Sequence, residues 1–394
     1  MTETIHLKDV KIGMCLAEPV FSKNNFLLYN KNFYFTSRDQ IIKLLDYGIS
    51  EVKINVSQSL VDSETKHRDI KSEYEIKKSV EDPIKKYERI AANVTEVKEL
   101  FDEGDKIIHE FMDAVRFGKN INQQAITEET TKIVKAIKED PLVAMALLDL
   151  KHFNEYTLIH SINVAVLSVA FAFNLKFGEE ILSSIAQGSL LHDIGKAKIP
   201  VDILNKPDKL SDMELRIIQK HPELGIQALG EDNLHNPIVK EIILHHHENY
   251  DGTGYPSKLA YSETKRFASI VSIADYYDAL TSQRSYKDIV TPADAVKKIY
   301  SLSGTKFDPR VVNHFVKTIG IYPIGSIAEL SDDRISVVVA FTKENLLQPI
   351  VKTLYHKSNP EIPNIEIISL SESELYIKNL VTDMKIKTMD VFKK

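Results

Sequence analysis

The sequence predicts a mainly α protein: an all-α core over residues 127–319, a small α+β module before it and a small β-rich tail after it. Three observations predict this. The middle of the chain reads as one apolar-periodic segment after another, joined by short connections that carry Gly, Pro or Asp. The first stretch, residues 1–56, alternates short apolar runs with turns, and after Gly320 the same texture returns.

Taken in order, Ile5 to Val10, Leu16 to Phe21, Phe26 to Tyr29 and Phe33 to Phe35 read as strands. Ser37-Arg38-Asp39-Gln40 has the form of a capping box, followed by Ile41, Ile42, Leu44 and Leu45, with Gly48 as the helix stop and a last strand at Glu51 to Val56. Residues 57–86 are polar and charged with no apolar period, which suits a linker or a weakly packed helix. Residues 87–126 form a helical connector, where Ile90, Val94, Val97, Phe101, Ile108, Phe111 and Val115 step by four and three except where Gly104 interrupts them. Such spacing fits a seam between two subunits, a homodimer through the helix around residues 90–115. It fits equally a helix packed on its own domain.

Within residues 127–319, Asp140-Pro141 opens one helix, Gly178 separates two more, and Pro292 sits in the first turn of another. In residues 320–394, Ser326 to Leu330, Ile335 to Phe341, Pro349 to Tyr355 and Ile365 to Leu370 read as strands, with Asp332-Asp333 at a turn.

Composition limits what the chain can be. At 394 residues it exceeds one typical domain, and 43% hydrophobic with 27% charged residues describes a globular protein able to bury a core. A net charge of -6 gives no sequence-wide reason to bind duplex nucleic acid or an anionic membrane. The single cysteine, Cys15, excludes an intramolecular disulfide and a multi-cysteine zinc site, and reads as a small buried hydrophobe. No run approaches 18 apolar residues, and Met1 to Val10 lacks the basic-then-apolar pattern of a signal peptide. A cytoplasmic protein is the expectation.

Histidines and aspartates cluster in the helical core: His160, His192-Asp193, His221, the run His245-His246-His247, and Asp275. A lone histidine on an apolar helix is more often a hydrogen-bonded core residue than a ligand. Several His and Asp at the ends of apolar helices make metal binding the simpler account, because so many buried polar groups need partners. Imidazole plus carboxylate, without thiolate, suits iron, manganese or another first-row metal. In His192-Asp193-Ile194-Gly195-Lys196 a carboxylate beside a histidine can place one oxygen on each of two metals. Gly195 lets the chain turn so that Lys196 faces the same pocket. The alternative for these five residues is a helix end with a glycine stop and a solvated lysine. His246-His247-Glu248-Asn249-Tyr250-Asp251-Gly252-Thr253-Gly254-Tyr255-Pro256 reads as a loop, either one whose aromatic stacks on a base or simply a tight connection between helices. Arg284 and Lys287 lie one turn apart on a helix or its end, where they can contact phosphate or a guanine edge or simply form a solvated face.

Together these residues resemble the HD-GYP subgroup of the HD phosphohydrolase superfamily over residues 150 to 315, in the order His160, His192-Asp193-Ile194-Gly195-Lys196, His221-Pro222, His246-His247-Glu248, Asp251 to Pro256, Asp275, Asp278-Ala279-Leu280-Thr281-Ser282 and Arg284. The resemblance implies an HD-type helical core. It implies His160, His192, Asp193, His221, His246, His247 and Asp275 as metal ligands, with Asp193 the bridge and His245 set aside. Lys196, Tyr255, Arg284 and Lys287 become the ligand-facing set, with Asp193 and Lys196 carrying the reaction. That reaction would be attack of a metal-bridging hydroxide on a phosphodiester of cyclic di-GMP, giving linear pGpG and then GMP. The family also suggests diguanylate cyclase domains as partners. Residues 1 to 56 and the tail from Gly320 resemble modules flanking the core in one branch of this family.

Two departures matter. Three-metal members carry a glutamate one turn before the position of His160; here that position is Tyr156, and Glu155 lies about 100° out of phase, so two ions are expected. Ser285 stands where the family often has proline. Two other functions compete: a cyclic di-GMP receptor or scaffold with little turnover, and a hydrolase of another nucleotide such as cyclic GMP-AMP.

Overall fold

The computed structural model describes residues 2–10, 14–21, 27–29, 31, 33, 35, 41, 44, 49–55, 82–119, 122–146, 156–230, 235–259, 266–282, 290–341, 346–363 and 365–381. The chain divides into two compact units, Met1–Val80 and Glu81–Lys394.

In the first unit β1 (Thr2–His6) pairs antiparallel with β4 (Glu51–Asn55), and β2 (Val20–Phe21) with β3 (Leu27–Tyr29). The strand expected at Ile5 to Val10 instead starts at Thr2 and gives way at Leu7 to a short 3-10 turn. Phe33 and Phe35 are not in a regular strand. They form main-chain hydrogen bonds with Leu16 (2.8 Å) and Met14 (3.0 Å), while their rings cluster with Tyr29. Leu7, Leu16, Phe35, Leu44 and Ile54 make the apolar interior, and Cys15 is buried with them. The helix expected between Ser37 and Gly48 lies largely outside the described residues, although Ile41 and Leu44 are helical and buried.

The second unit opens with α1 (Pro83–Phe117), capped by Asp82, whose carboxylate accepts from Ile84 N at 2.8 Å, and closed by Gly118 with φ of 64°. The helix therefore begins inside the expected 57–86 linker, whose residues 57–81 lie outside the described set. It also runs straight through Gly104. A Cβ at Gly104 would lie 2.8 Å from Glu129 Oε1 and 3.1 Å from Ile162 Cδ1, so this glycine marks a close helix approach rather than an interruption. Ile90, Phe101, Ile108, Phe111 and Val115 are buried within the chain's own core, which is the second of the two readings that the heptad spacing allows.

Helix α2 (Gln123–Glu139) starts at Asn122, and α3 (Pro141–Ala146) starts at Asp140, whose carboxylate accepts from Leu142 N at 2.9 Å. Then come α4 (Tyr156–Asn174), α5 (Glu179–Leu191), a 3-10 turn (Ile194–Lys198), α6 (Val201–Leu204), α7 (Asp212–Ile218), α8 (His221–Leu229), α9 (Pro237–His245), α10 (Arg266–Thr281), α11 (Pro292–Ser301) and α12 (Pro309–Ile319). Helices α4, α5, α9 and α10 pack together as the central layer, and α1 and α2 cover α4. Ile162, Val164 to Leu167 and Val169 to Ala172 bury almost all of α4. Burial on every face is what fixes this helix at the centre of the bundle. Among the described residues no helix is long and apolar enough to cross a membrane.

The tail forms one sheet in the order β10-β5-β6-β7-β8, with β9 on β7 as well: β5 (Ile327–Leu330), β6 (Arg334–Ala340), β7 (Ile350–His356), β8 (Asn359–Pro363), β9 (Ile367–Ser369) and β10 (Ile377–Leu380). Strands β8 and β10 are additional to the four expected. Asp333 takes φ of 62° in the β5–β6 turn. The sheet docks on α1, where Lys86 Nζ donates to Phe341 O and Lys352 Nζ to Tyr87 Oη, both at 3.0 Å.

Candidate metal centre

Five segments distant in sequence deliver the site. His160 comes from α4, His192 and Asp193 from the end of α5, His221 from the first position of α8, His246 and His247 from the end of α9, and Asp275 from α10. Close backbone contact brings the second and third together. A Cβ on Gly195 would lie 1.9 Å from His221 O and 2.5 Å from Gly225 N, so only glycine lets the 3-10 turn after Asp193 rest on the start of α8. Gly195 thus serves a close approach between two main chains.

The histidines are oriented from behind. His192 Nδ1 donates to Ser189 O at 2.7 Å, His221 Nδ1 to Ile218 O at 2.8 Å, and His246 Nδ1 to Ile242 O and Ile243 O at 3.1 Å. These bonds assign the proton to Nδ1 and leave the Nε2 lone pair facing the site. His160 is held by a carboxylate instead: its Nδ1 is 2.7 Å from Asp278 Oδ2, which also accepts from Ser282 Oγ at 2.9 Å.

The acceptors then face one another. The Nε2 atoms of His221 and His246 are 3.2 Å apart, Asp193 Oδ1 is 3.3 Å from His221 Nε2 and 3.9 Å from His246 Nε2, and Asp193 Oδ2 is 3.3 Å from His192 Nε2 and 3.8 Å from His160 Nε2. His192 Nε2 and Asp193 Oδ1 are buried and make no hydrogen bond among the described residues. Lone pairs aimed at lone pairs in a dry interior repel unless cations lie among them, and the residues present therefore fit divalent metal ions. Ligand atoms fall into two groups, each within 4.8 Å: Asp193, His221, His246 and His247 in one, His160, His192 and Asp275 in the other. His245 is in neither; its Nδ1 lies 4.0 Å from Glu248 Oε1.

The electrostatics agree with that fit. Burial lowers His221 to about 4, His247 to about 3 and His246 well below its ordinary value, so these imidazoles are neutral and able to donate electron pairs. Burial opposes ionisation of Asp193, but Lys196, which hydrogen-bonds its Oδ2, and the adjoining histidines hold it well below the usual carboxylate range. Asp275 is lowered too, burial being outweighed by His160, whose Nε2 is 3.1 Å from Asp275 Oδ1. His160 itself, against the effect of burial, is pushed up to about 9 by Asp275 and Asp278. The site favours positive charge.

Tyr255 stands at the rim. Its ring lies 4.7 Å from that of His247, and burial together with Asp193 and Asp275 raises its hydroxyl, which stays protonated. A Cβ on Gly254 would meet the main chain of residues 247–249 at about 2.5 Å, which folds the loop back onto His247. Glu248, which the sequence reading did not single out as functional, is buried and accepts from Ser257 N (2.7 Å) and Leu259 N (3.1 Å), fixing the loop's far end. Asp278 was likewise left out of the site set. Its spacing of three from Asp275, which puts both on one helix face, was the available signal. Arg284, Ser285, Lys287 and Glu155 lie outside the described residues, as does the side chain of Tyr156.

Residues 141–311 match the HD domain family, and residues 2–126 match a domain of unknown function, DUF3391. The chain thus contains an HD domain, and these matches are consistent with the HD-GYP resemblance. The elements that carry the HD-GYP resemblance are His192-Asp193 and Gly254-Tyr255-Pro256. It is 35% identical over 268 residues, 68% of this chain and 64% of the other, to the cyclic di-GMP phosphodiesterase PA4108 of Pseudomonas aeruginosa. It is 39% identical over 147 residues, 37% of this chain and 39% of the other, to the cyclic di-GMP phosphodiesterase response regulator RpfG of Xanthomonas campestris. A Vibrio cholerae protein, 3'3'-cGAMP-specific phosphodiesterase 2, is 37% identical over 154 residues, 39% of this chain and 30% of the other. The chain thus spans less than two thirds of the length of these relatives.

Proposed function

We propose that this chain is a metal-dependent phosphodiesterase that hydrolyses cyclic di-GMP to pGpG, and on further cleavage to GMP, at a centre of two divalent ions, iron or manganese. The observation that carries this reading is the division of Asp193: one oxygen faces the His221 group and the other the His160 group. A carboxylate shared in this way is what a two-ion site requires. The names of the Pseudomonas and Xanthomonas relatives support the substrate. The all imidazole and carboxylate donor set supports iron or manganese.

His160, His192 and Asp275 would hold one ion, His221, His246 and His247 the other, and Asp193 both. When bound, the ions acidify a water and neutralise charge on the phosphoryl group. Lys196, in contact with Asp193 and partly exposed, places an ammonium at the edge of the centre where a phosphate oxygen arrives. Tyr255, held protonated, offers a donor and a ring face at the rim. Arg284 and Lys287 complete the substrate set.

The test uses protein purified without oxygen and reloaded with iron or manganese. Asp193→Asn is expected to lose most activity and much of the metal, whereas Tyr255→Phe mainly raises KM; intact cyclic di-GMP after incubation with the loaded wild-type chain refutes the reading. The Vibrio relative favours a second substrate, cyclic GMP-AMP, which a direct kcat/KM comparison separates. Three further expectations belong to this proposal. The chain works in the cytoplasm. It meets diguanylate cyclase domains. Any homodimer along α1 uses exposed residues such as Ile84 and Phe117, since Ile90, Phe101, Ile108, Phe111 and Val115 are buried in the chain's own core.

A further inference from the structure

A cavity of about 490 Å³ lies between the ends of α4, α10 and α12 and the loop after His247. Its volume falls within the range of about 300–1,000 Å³ typical of small-molecule sites. Three of its lining residues are cationic, Arg266, Lys306 and Arg310, while burial and Lys317 lower His314 and keep it neutral. Its two acidic residues are already engaged. Glu248 accepts from two main-chain amides, and Asp308 accepts from the main chain and guanidinium of Arg310.

That leaves Lys306 and Arg266. The Lys306 ammonium sits over the rings of Tyr276 (5.4 Å) and Phe307 (5.6 Å), and its hydrogen-bond acceptor among the described residues is the neutral Asn249 Oδ1 at 3.3 Å. No carboxylate oxygen of the described residues lies within 4.0 Å of it, and Asp275 and Asp251 act on it only from farther away. Arg266 stacks its guanidinium on Phe177 at 4.6 Å, again without a carboxylate partner among the described residues. A partly buried ammonium with one neutral acceptor is poorly compensated, and a second cation on the same cavity adds to the positive field. An anion corrects both.

We propose that this cavity binds a phosphate monoester of nucleoside monophosphate size, separately from the metal centre. Lys306 and Arg266 meet the phosphate dianion through charge-assisted hydrogen bonds. A lone inorganic anion would fill only a small part of the volume, while Tyr250 and the partly exposed apolar side chains of Leu175 and Val311 offer a surface for a flat ring.

The test is calorimetric titration of the full-length Asp193→Asn chain, in which the metal centre is disabled, so the outcome is independent of the proposed hydrolysis. The probes are GMP, guanosine and inorganic phosphate. GMP is expected to bind at one site, guanosine not measurably, and phosphate more weakly than GMP. Arg266→Gln and Lys306→Met should each weaken GMP binding about ten-fold or more. Arg266 is exposed at the start of α10, so its variant keeps the result readable if Lys306→Met disturbs the loop. Absence of GMP binding, or binding unchanged by Arg266→Gln, overturns the proposal. Phosphate binding as tightly as GMP overturns its nucleotide assignment.

Discussion

Replacing Glu129 by glutamine removes one titratable group from the interior while leaving its shape almost unchanged. Glu129 is fully buried on α2, against Gly104 of α1 and Ile162 of α4. Neither carboxylate oxygen has a hydrogen-bond partner among the described residues, and the nearest cation, Lys132 Nζ, stands 3.7 Å from Oε2 on an exposed side chain. Burial raises this carboxyl from 4.5 to about 7, against the pull of Lys132 and with the help of Glu103. Because the folded value lies above the unfolded one, the stability gained from a protonated Glu129 is fully present below about pH 4.5. It is lost as the pH rises to about 7, and the loss then levels off. At about 1.4 kcal/mol for each pH unit, the whole effect is about 3 kcal/mol. Urea unfolding of both proteins, loaded with the same metal, checks this. The wild type should lose about 2–3 kcal/mol relative to Glu129→Gln between about pH 5 and pH 8, with contributions common to both cancelling. A difference that stays flat, or moves the other way with pH, refutes the reasoning.

Asp278→Asn should leave the fold intact and lower metal affinity about 10–100-fold, because His160 loses the carboxylate that orients it; competition with a chelator reads the change. Gly195→Ala should destabilise by roughly 3 kcal/mol or more and lose metal with it, since His221 O lies where the new Cβ would be; thermal unfolding and metal content measure both. Stripping the metal should lower unfolding stability by about 3 kcal/mol relative to protein holding metal at about a hundred times its Kd, as scanning calorimetry would show.

The gathering of the candidate metal ligands was legible because they are residue types in a fixed order. His160, His192, Asp193, His221, His246, His247 and Asp275, spread over more than a hundred positions, converge in two groups. What could not be read was what stands behind them. Asp278 orients His160 through a contact between α4 and α10, and Ser189 O, Ile218 O and Ile242 O are main-chain atoms that any residue supplies. In the fold, the helix and strand textures identified the three regions, but Gly104 misled. A glycine weakens a helix by propensity, and only the neighbouring Glu129 and Ile162 reveal that it permits close packing instead. The stripe on α1 could not by itself distinguish a partner chain from its own core, since both bury the same residues. Strand β8 escaped because Asn359 to Pro363 contains two prolines, which read as a loop yet are tolerated on the end strand of the sheet.

The contact of Gly195 with the His221 carbonyl bears on how this centre tolerates change. Side-chain packing can be altered across a core while its total volume is kept, and helices then shift by small amounts. Here the interval between Asp193 and His221 is set where two main chains touch, with no side chain between them. Drift in the apolar residues of α4, α5 or α9 can alter how firmly the bundle holds, but it has little purchase on that interval. The Asp193–His221 interval therefore varies little when the interior is rewritten, whereas His160, His246, His247 and Asp275, carried on α4, α9 and α10, follow any shift of their helices.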